Sequence, residues 1–260
     1  MSENTGYFRF ILRDNIYLKS AKTHMTEHDL IKIPKTIKGL ASIALEGAVE
    51  IIKLFEAHTG YSVILELLPS AEITVLLSQG RQVDFVFYPS KPIKKFTEEG
   101  VLSPEGFTPV VKSGIGIAVP MSSNLLAPKN AQDLKEILLS VDSILYATGP
   151  SGDHIENILL DLKIRNEISH KIKIISGLVA KGIENGEGAI GFQQIPEILL
   201  VPGAKLLSPL PKDIQLDTPF ALSVHSSSKK IDVCKELFKY LSDSNYRSLY
   251  AKYGLQMIEQ

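Results

Sequence analysis

From residue 36 onward, short apolar runs alternate with helix-like segments, and this alternation leaves few folds open to the chain. Residues 37–42, 61–68 and 83–88 read as strands, the last apolar at nearly every position. Between them, residues 46–58 place Ala48, Val49, Ile52 and Phe55 on one side at helical spacing, and Gly60 ends that helix as a left-handed cap. Ser70 is positioned to cap a helix running to Ser78 or Gln79 and closed by Gly80. Ser90 precedes Lys91-Pro92, a helix start with proline in its first turn, and Gly100 ends that helix. Strands separated by helices imply right-handed βαβ units, so the fold class expected is α/β with mixed, mainly parallel sheets.

A β-rich run at 110–119 breaks the rhythm and reads as one strand long enough to pass between two lobes. Its Gly114-Ile115-Gly116 lacks the third glycine and following helix of a dinucleotide-binding turn. A second α/β unit follows. It has a helix at 132–139, a strand at 143–148, a turn at Gly149-Pro150-Ser151-Gly152 and a helix to Leu162. A strand at 171–175, a short helix at 178–184 and a strand ending in Gly191-Phe192-Gln193-Gln194 complete it. Pro209, Pro211 and Pro219 mark a return crossing to a strand at 220–224 and two terminal amphipathic helices at 229–242 and 245–253. The expected organisation is an N-terminal extension at 1–34, a discontinuous lobe 1 at 35–116 and 215–260, and an inserted lobe 2 at 117–214.

The charge balance, 28 Lys and Arg against 29 Asp and Glu, argues against a nucleic-acid partner. No apolar run is long enough to span a membrane. Residues 1–35 lack a signal-peptide pattern, since arginines interrupt the most apolar stretch, 7–13. One cysteine, Cys234, excludes an internal disulfide and reads as a buried thiol in a helix.

Chemistry concentrates at loop-to-helix junctions. Four of them, at 42–45, 69–72, 149–152 and 176–178, offer small residues and unpaired backbone N–H donors, which favour anions. Gln193 and Gln194, at the carboxyl end of a buried strand, stand where open α/β sheets hold ligands, and each amide both donates and accepts. Groups suited to catalysis are sparse. The histidines have no zinc-site spacing apart from His24 and His28, and Ser151 lacks the nucleophile-elbow pattern. Asp153 and His154 read as ordinary first-turn residues, and Asp84 as a structural carboxylate bonded to nearby backbone. Neither metal nor cofactor is expected.

Several of these segments together resemble the molybdate-type substrate-binding proteins of ABC transporters, within the type II periplasmic-binding-protein fold. They are Ala41-Ser42-Ile43-Ala44-Leu45-Glu46-Gly47-Ala48, Phe55 to Gly60, Gly80 with Val83-Asp84-Phe85-Val86, Lys112 to Val119, Gly149-Pro150-Ser151-Gly152, and Gly186-Glu187 with Gly191-Phe192-Gln193-Gln194. The resemblance implies a two-lobed receptor, with a two-crossing hinge, that closes on an oxyanion. It also implies an ABC membrane subunit as partner and a periplasmic location. A monomer is expected. Molybdate binders of the family use two serine hydroxyls, backbone amides and a tyrosine. Here the matching positions hold Ala44 (with Ser42 two residues earlier), Ser70 and Gln194, which departs from molybdate recognition. The Gly-Phe-Gln-Gln form is similar to a branch that includes aconitate-isomerase-like proteins. The expected ligand contacts are Ser42, Ala44, Ser70, Ser151, Gly152, Gly177, Gln193 and Gln194. Two other readings stand beside the receptor: an isomerase using Glu46, Glu72 or His154 as base, and an intracellular ligand-sensing domain.

Overall fold

The computed structural model describes residues 36–259 and the two-residue strand β1 (Phe10–Ile11). The remainder of the expected N-terminal extension, with His24 and His28, lies outside the described residues.

Strand β2 (Thr36–Ser42) leads through a 3-10 turn (Ile43–Leu45) into α1 (Ala48–Thr59). Gly60, at φ 71°, ends α1 in the left-handed region, as its missing Cβ permits. Then come β3 (Ser62–Leu68), α2 (Ser70–Ser78), β4 (Phe85–Pro89) and α3 (Ser90–Glu98). Ser70 is not the cap its sequence position suggests. It is the first residue of α2, after Pro69, and its hydroxyl makes no cap bond.

The expected single strand at 110–119 is two, β5 (Thr108–Ser113) and β6 (Ile115–Pro120), which belong to different sheets. Gln215 occupies the space a side chain at Gly114 would need, 3.0 Å from the Cβ position. The Ile115 N–H donates to Gln215 Oε1 (2.8 Å), and Gln215 Nε2 donates back to the Ile115 carbonyl (2.9 Å). One glutamine side chain thus bonds the outgoing passage between the sheets to the returning one.

The second unit contains α4 (Ala131–Ser140), β7 (Ile144–Ala147), α5 (Pro150–Asp161), β8 (Ile172–Ile175), α6 (Val179–Glu184) and β9 (Ile190–Gln194). Two elements follow that the sequence reading passed over: α7 (Ile195–Leu199) and β10 (Ala204–Pro209). The chain returns through β11 (Thr218–Val224) to α8 (Ile231–Leu241), α9 (Arg247–Lys252) and β12 (Gln256–Met257).

One sheet orders its strands β1-β3-β2-β4-β11-β5-β12 and the other β10-β6-β9-β7-β8. Strands from βα units pair in parallel, β3-β2-β4 and β9-β7-β8. The strands that carry the crossings, β5, β6 and β11, pair antiparallel with every neighbour. Each sheet is buried on both faces. Phe55, Phe85, Phe87, Phe220, Leu237 and Phe238 pack between the first sheet and α1 and α8, while Leu40, Val86, Tyr88 and Phe96 fill its other side. Ile117, Ile144, Tyr146, Leu159 and Phe192 lie on one side of the second sheet, and Ala118, Leu145, Val179 and Ile198 on the other. Cys234 is fully buried, and burial pushes its thiol up to about 12, so it packs as an apolar group.

Asp84 ties the first unit together across the chain. Its carboxylate accepts from the Lys38 N–H (2.8 Å), the Ser228 hydroxyl (2.8 Å) and Lys230 Nζ (3.1 Å). Burial pushes its pKa up, but these bonds and the Lys230 charge outweigh that and leave it below the usual carboxylate value.

Candidate functional site

All four loop-to-helix junctions reach one cavity of about 430 Å³ between the two sheets' carboxyl ends. Ile43, the Pro69-Ser70-Ala71-Glu72 turn, Val75 and Pro89 line it from one side. The run from Ala147 to Ser151, Ser176-Gly177-Leu178, Gln193, Gln194 and Glu197 line it from the other, with Thr218 and Phe220 of β11 beside the crossings.

Two full helices point their N-termini at this space. Neither α2 nor α5 has a side-chain cap. Helix geometry leaves their first N–H groups without intrahelical acceptors, and the macrodipole adds a partial positive charge there. Pro150, which has no N–H, stands in the first turn of α5, so Ser151 and Gly152 supply its first donors. Gly149, at φ 116°, makes the turn into α5 that an L side chain rarely adopts.

Five of the eight expected contacts line the cleft: Ser70, Ser151, Gly177, Gln193 and Gln194. The other three are packed behind its wall. Ser42 is fully buried, with its Oγ 3.0 Å from Ser70 Oγ and 3.4 Å from the Ala44 nitrogen. The Ser70 hydroxyl donates to Ser42 Oγ, which also accepts from the Ala44 N–H; a hydroxyl both donates and accepts, so the Ser42–Ser70 bond can reverse and free the Ser70 proton for a ligand. Ala44 is buried beside it. Gly152 lies against β7: a Cβ there would stand 1.8 Å from the Ala147 carbonyl oxygen. It allows α5 to start this close to the strand.

The two glutamines have different surroundings. Gln193 Oε1 accepts from the Ala180 N–H of α6 (3.1 Å), and its amide also bonds the Glu197 carboxyl. It is a brace between α6 and α7. Gln194 Nε2 donates to Thr218 Oγ1 (2.9 Å), while its Oε1 is buried without a partner. The Thr218 hydroxyl can equally donate, so the amide can turn over, keep that bond and present its NH₂ to an anion.

Electrostatically the cleft is unusual for an anion site. Among the described residues its lining holds no Lys, Arg or His, but two carboxylates, Glu72 and Glu197. Burial drives the Glu197 pKa up to about 7, against the lowering effect of hydrogen bonds from Gln193 and the Gln194 backbone. The sequence reading missed Glu197. The signal was present, since Pro196 followed at once by an acid marks the first turn of a helix. Of the other acids and bases considered from sequence, Glu72 alone lines the cleft. Glu46 is exposed, and His154 Nε2 lies 2.8 Å from the Ile214 carbonyl. Among the described residues no cluster of three or more metal-ligating side chains occurs, and no helix is long and apolar enough to cross a membrane.

A sequence profile of the bacterial extracellular solute-binding protein family matches residues 39–256. The aconitate isomerase of a Pseudomonas species is 22% identical over 231 residues, covering 86% of this chain and 88% of that protein. Among solved structures, the periplasmic molybdate-binding protein of Azotobacter vinelandii superposes with a TM-score of 0.69 at 13% identity, over 86% of this chain and all of that one (100%). The sulfate-binding protein SubI of Mycobacterium tuberculosis superposes with a TM-score of 0.68 at 14% identity, covering 86% and 88% of the two chains. At these identities the likeness to solved structures concerns the fold, and that fold is the two-lobed type II architecture. The profile match, spanning most of the chain, makes it a member of the bacterial extracellular solute-binding protein family.

Proposed function

We propose that this protein is a solute receptor that captures a small oxyanion or organic acid between its two lobes and delivers it to an ABC-type uptake system. The observation that carries this reading is the convergence of unpaired helix N-termini from both lobes, α2 and α5, on one cleft with short neutral polar groups. The cavity volume falls in the range of small-molecule sites. Molybdate and sulfate are the ligands named for two proteins of the same fold, which supports an oxyanion as the ligand class. Ser70, Ser151, Gly177, Gln194 and the Gly152 N–H supply the contacts, with Ser42, Ala44 and Gln193 holding them in place. Residues 36–113 and 218–259 form one lobe around the first sheet and 115–214 the other around the second, with the crossings at Gly114 and Gln215. Contacts from both lobes exist together in the closed state alone, so binding selects closure about the crossings that Gln215 bonds. Delivery to a membrane transporter places the protein outside the cytoplasmic membrane.

A thermal-shift screen of molybdate, tungstate, sulfate, phosphate and di- and tricarboxylates tests the reading. A tight ligand at about 100 times its dissociation constant adds about 2.7 kcal/mol of apparent stability. No shift with any of these anions contradicts it. For the anion that shifts most, Ser70→Ala is expected to weaken binding about tenfold, the worth of one hydrogen bond to a charged acceptor. Titration calorimetry of the variant checks this.

A second reading, an isomerase acting on a small tricarboxylate, is favoured by Glu197. A carboxyl with a pKa near 7 in the cleft suits proton transfer, and the aconitate isomerase similarity extends over most of the chain. Following ultraviolet absorbance after mixing with cis- or trans-aconitate separates the two. Catalytic turnover replaces the receptor reading with the isomerase, and unchanged absorbance removes the isomerase.

A further inference from the structure

The anion-capture reading leaves one feature unexplained: a site for anions whose described lining contains carboxyl groups and no cation. Glu197 and Glu72 both line the cleft, and among the described residues no Lys, Arg or His does. The charged residues on elements packed against α7 do not offset Glu197. Lys181 and Glu184 of α6 pair with each other, and Lys252, just before the Gly254 turn that touches α7, pairs with Glu50. Lys205 of β10 and Glu46, next to the 3-10 turn, are exposed and lie outside the cleft lining. The groups that do reach the Glu197 carboxyl are neutral, the Gln193 amide and the Gln194 N–H.

An ionised carboxylate at hydrogen-bonding distance from a captured anion, with no counter-charge, lowers affinity by orders of magnitude. A protonated carboxyl in the same place does the reverse, because its O–H donates a short, charge-assisted bond to the anion. We propose that Glu197 meets the ligand as a neutral carboxylic acid and donates to one of its oxygens, so that each anion is captured together with one proton. Glu197 is then a ligand contact in its own right, and Gln193, which holds both α6 and the Glu197 carboxyl, positions it. The direction of the Glu197 pKa agrees with this, since burial raises it and so favours the protonated carboxyl.

The inference rests on the anion-capture reading, and the experiment keeps their failures apart. Wild-type protein is titrated by calorimetry with molybdate, sulfate and trans-aconitate, probes whose own charge is constant in the range used. Each titration is run at about pH 6 and about pH 8, the latter in both Hepes and Tris, which buffer there with lower and higher ionisation enthalpy. Because the bound state favours protonated Glu197, affinity is greatest below its free pKa and falls about tenfold per pH unit above it. The expected result is a buffer-dependent heat at the higher pH equal to uptake of about one proton. Glu197→Gln, which keeps the shape and a donor, is expected to bind with an affinity independent of pH. A probe that binds with the same heat in both buffers and no pH slope overturns the proton-coupled inference and leaves anion capture standing. A variant that keeps the wild-type slope overturns the assignment to Glu197. No binding of any probe at either pH overturns anion capture and this inference with it.

Discussion

Gly152→Ala is expected to lower stability by about 3 kcal/mol or more and to abolish ligand-induced stabilisation. The alanine Cβ would stand 1.8 Å from the carbonyl oxygen of Ala147 and 3.0 Å from its carbon. Both are backbone atoms of a strand paired on both sides, with β8 and β9, so neither can turn aside as a flexible side chain would. The start of α5 must retreat from β7, and the Ser151 and Gly152 donors retreat from the cleft with it. Gly177→Ala is the informative contrast. A Cβ there meets nothing within 4 Å, and the penalty is the φ of 87°. That change is expected to cost about 1 kcal/mol. Urea denaturation of the two variants, with and without the stabilising anion, checks both the ranking and the loss of ligand response.

Asp84→Ala is expected to cost about 3 kcal/mol, for a different reason. The carboxylate joins three parts of the chain far apart in sequence: the Lys38 N–H of β2, the Ser228 hydroxyl and Lys230 before α8. Removing it leaves the Lys38 N–H and a buried serine hydroxyl without their acceptor, whereas the Lys230 ammonium, partly exposed, can turn to solvent. The same group gives an acid limb to stability. Its folded pKa lies below its unfolded value, so its contribution is complete above the unfolded pKa of about 4 and is lost as pH falls through the lower, folded one. Wild-type stability is therefore expected to decline more steeply below about pH 4 than that of Asp84→Ala, as denaturation midpoints measured across that range would show.

Much of the fold was legible because each early βα unit carries its own punctuation. The apolar block of β4 and the glycines that close α1, α2 and α3 mark element ends whatever surrounds them. The same holds for the four turns that reach the cleft, because small residues before a helix mark each of them in the sequence. Other features depend on partners far away in the chain. The break at Gly114 is made by Gln215, a hundred residues on, and local β propensity runs straight through it. Ser70 looks like a cap, yet its hydroxyl is taken by Ser42 across the parallel pair β2–β3. The prolines at 209, 211 and 219 read as a return crossing, yet β10 runs up to Pro209 on an edge of its sheet, where a missing N–H costs no ladder bond. Pro196, in the first turn of α7, was passed over with that helix, and Glu197 with it. The different duties of Gln193 and Gln194 were equally out of reach, because they depend on Ala180 and Thr218.

The central claim is that one small anion is held at once by the α2 turn of the first lobe and the α5 turn of the second. A crystal structure grown with the anion that most raises thermal stability tests it most directly. The account predicts density for that anion within hydrogen-bonding distance of both the Ser70-Ala71 and the Ser151-Gly152 nitrogens, with Glu197 beside it. An anion seated on one turn alone, or bound outside this cleft, would contradict it.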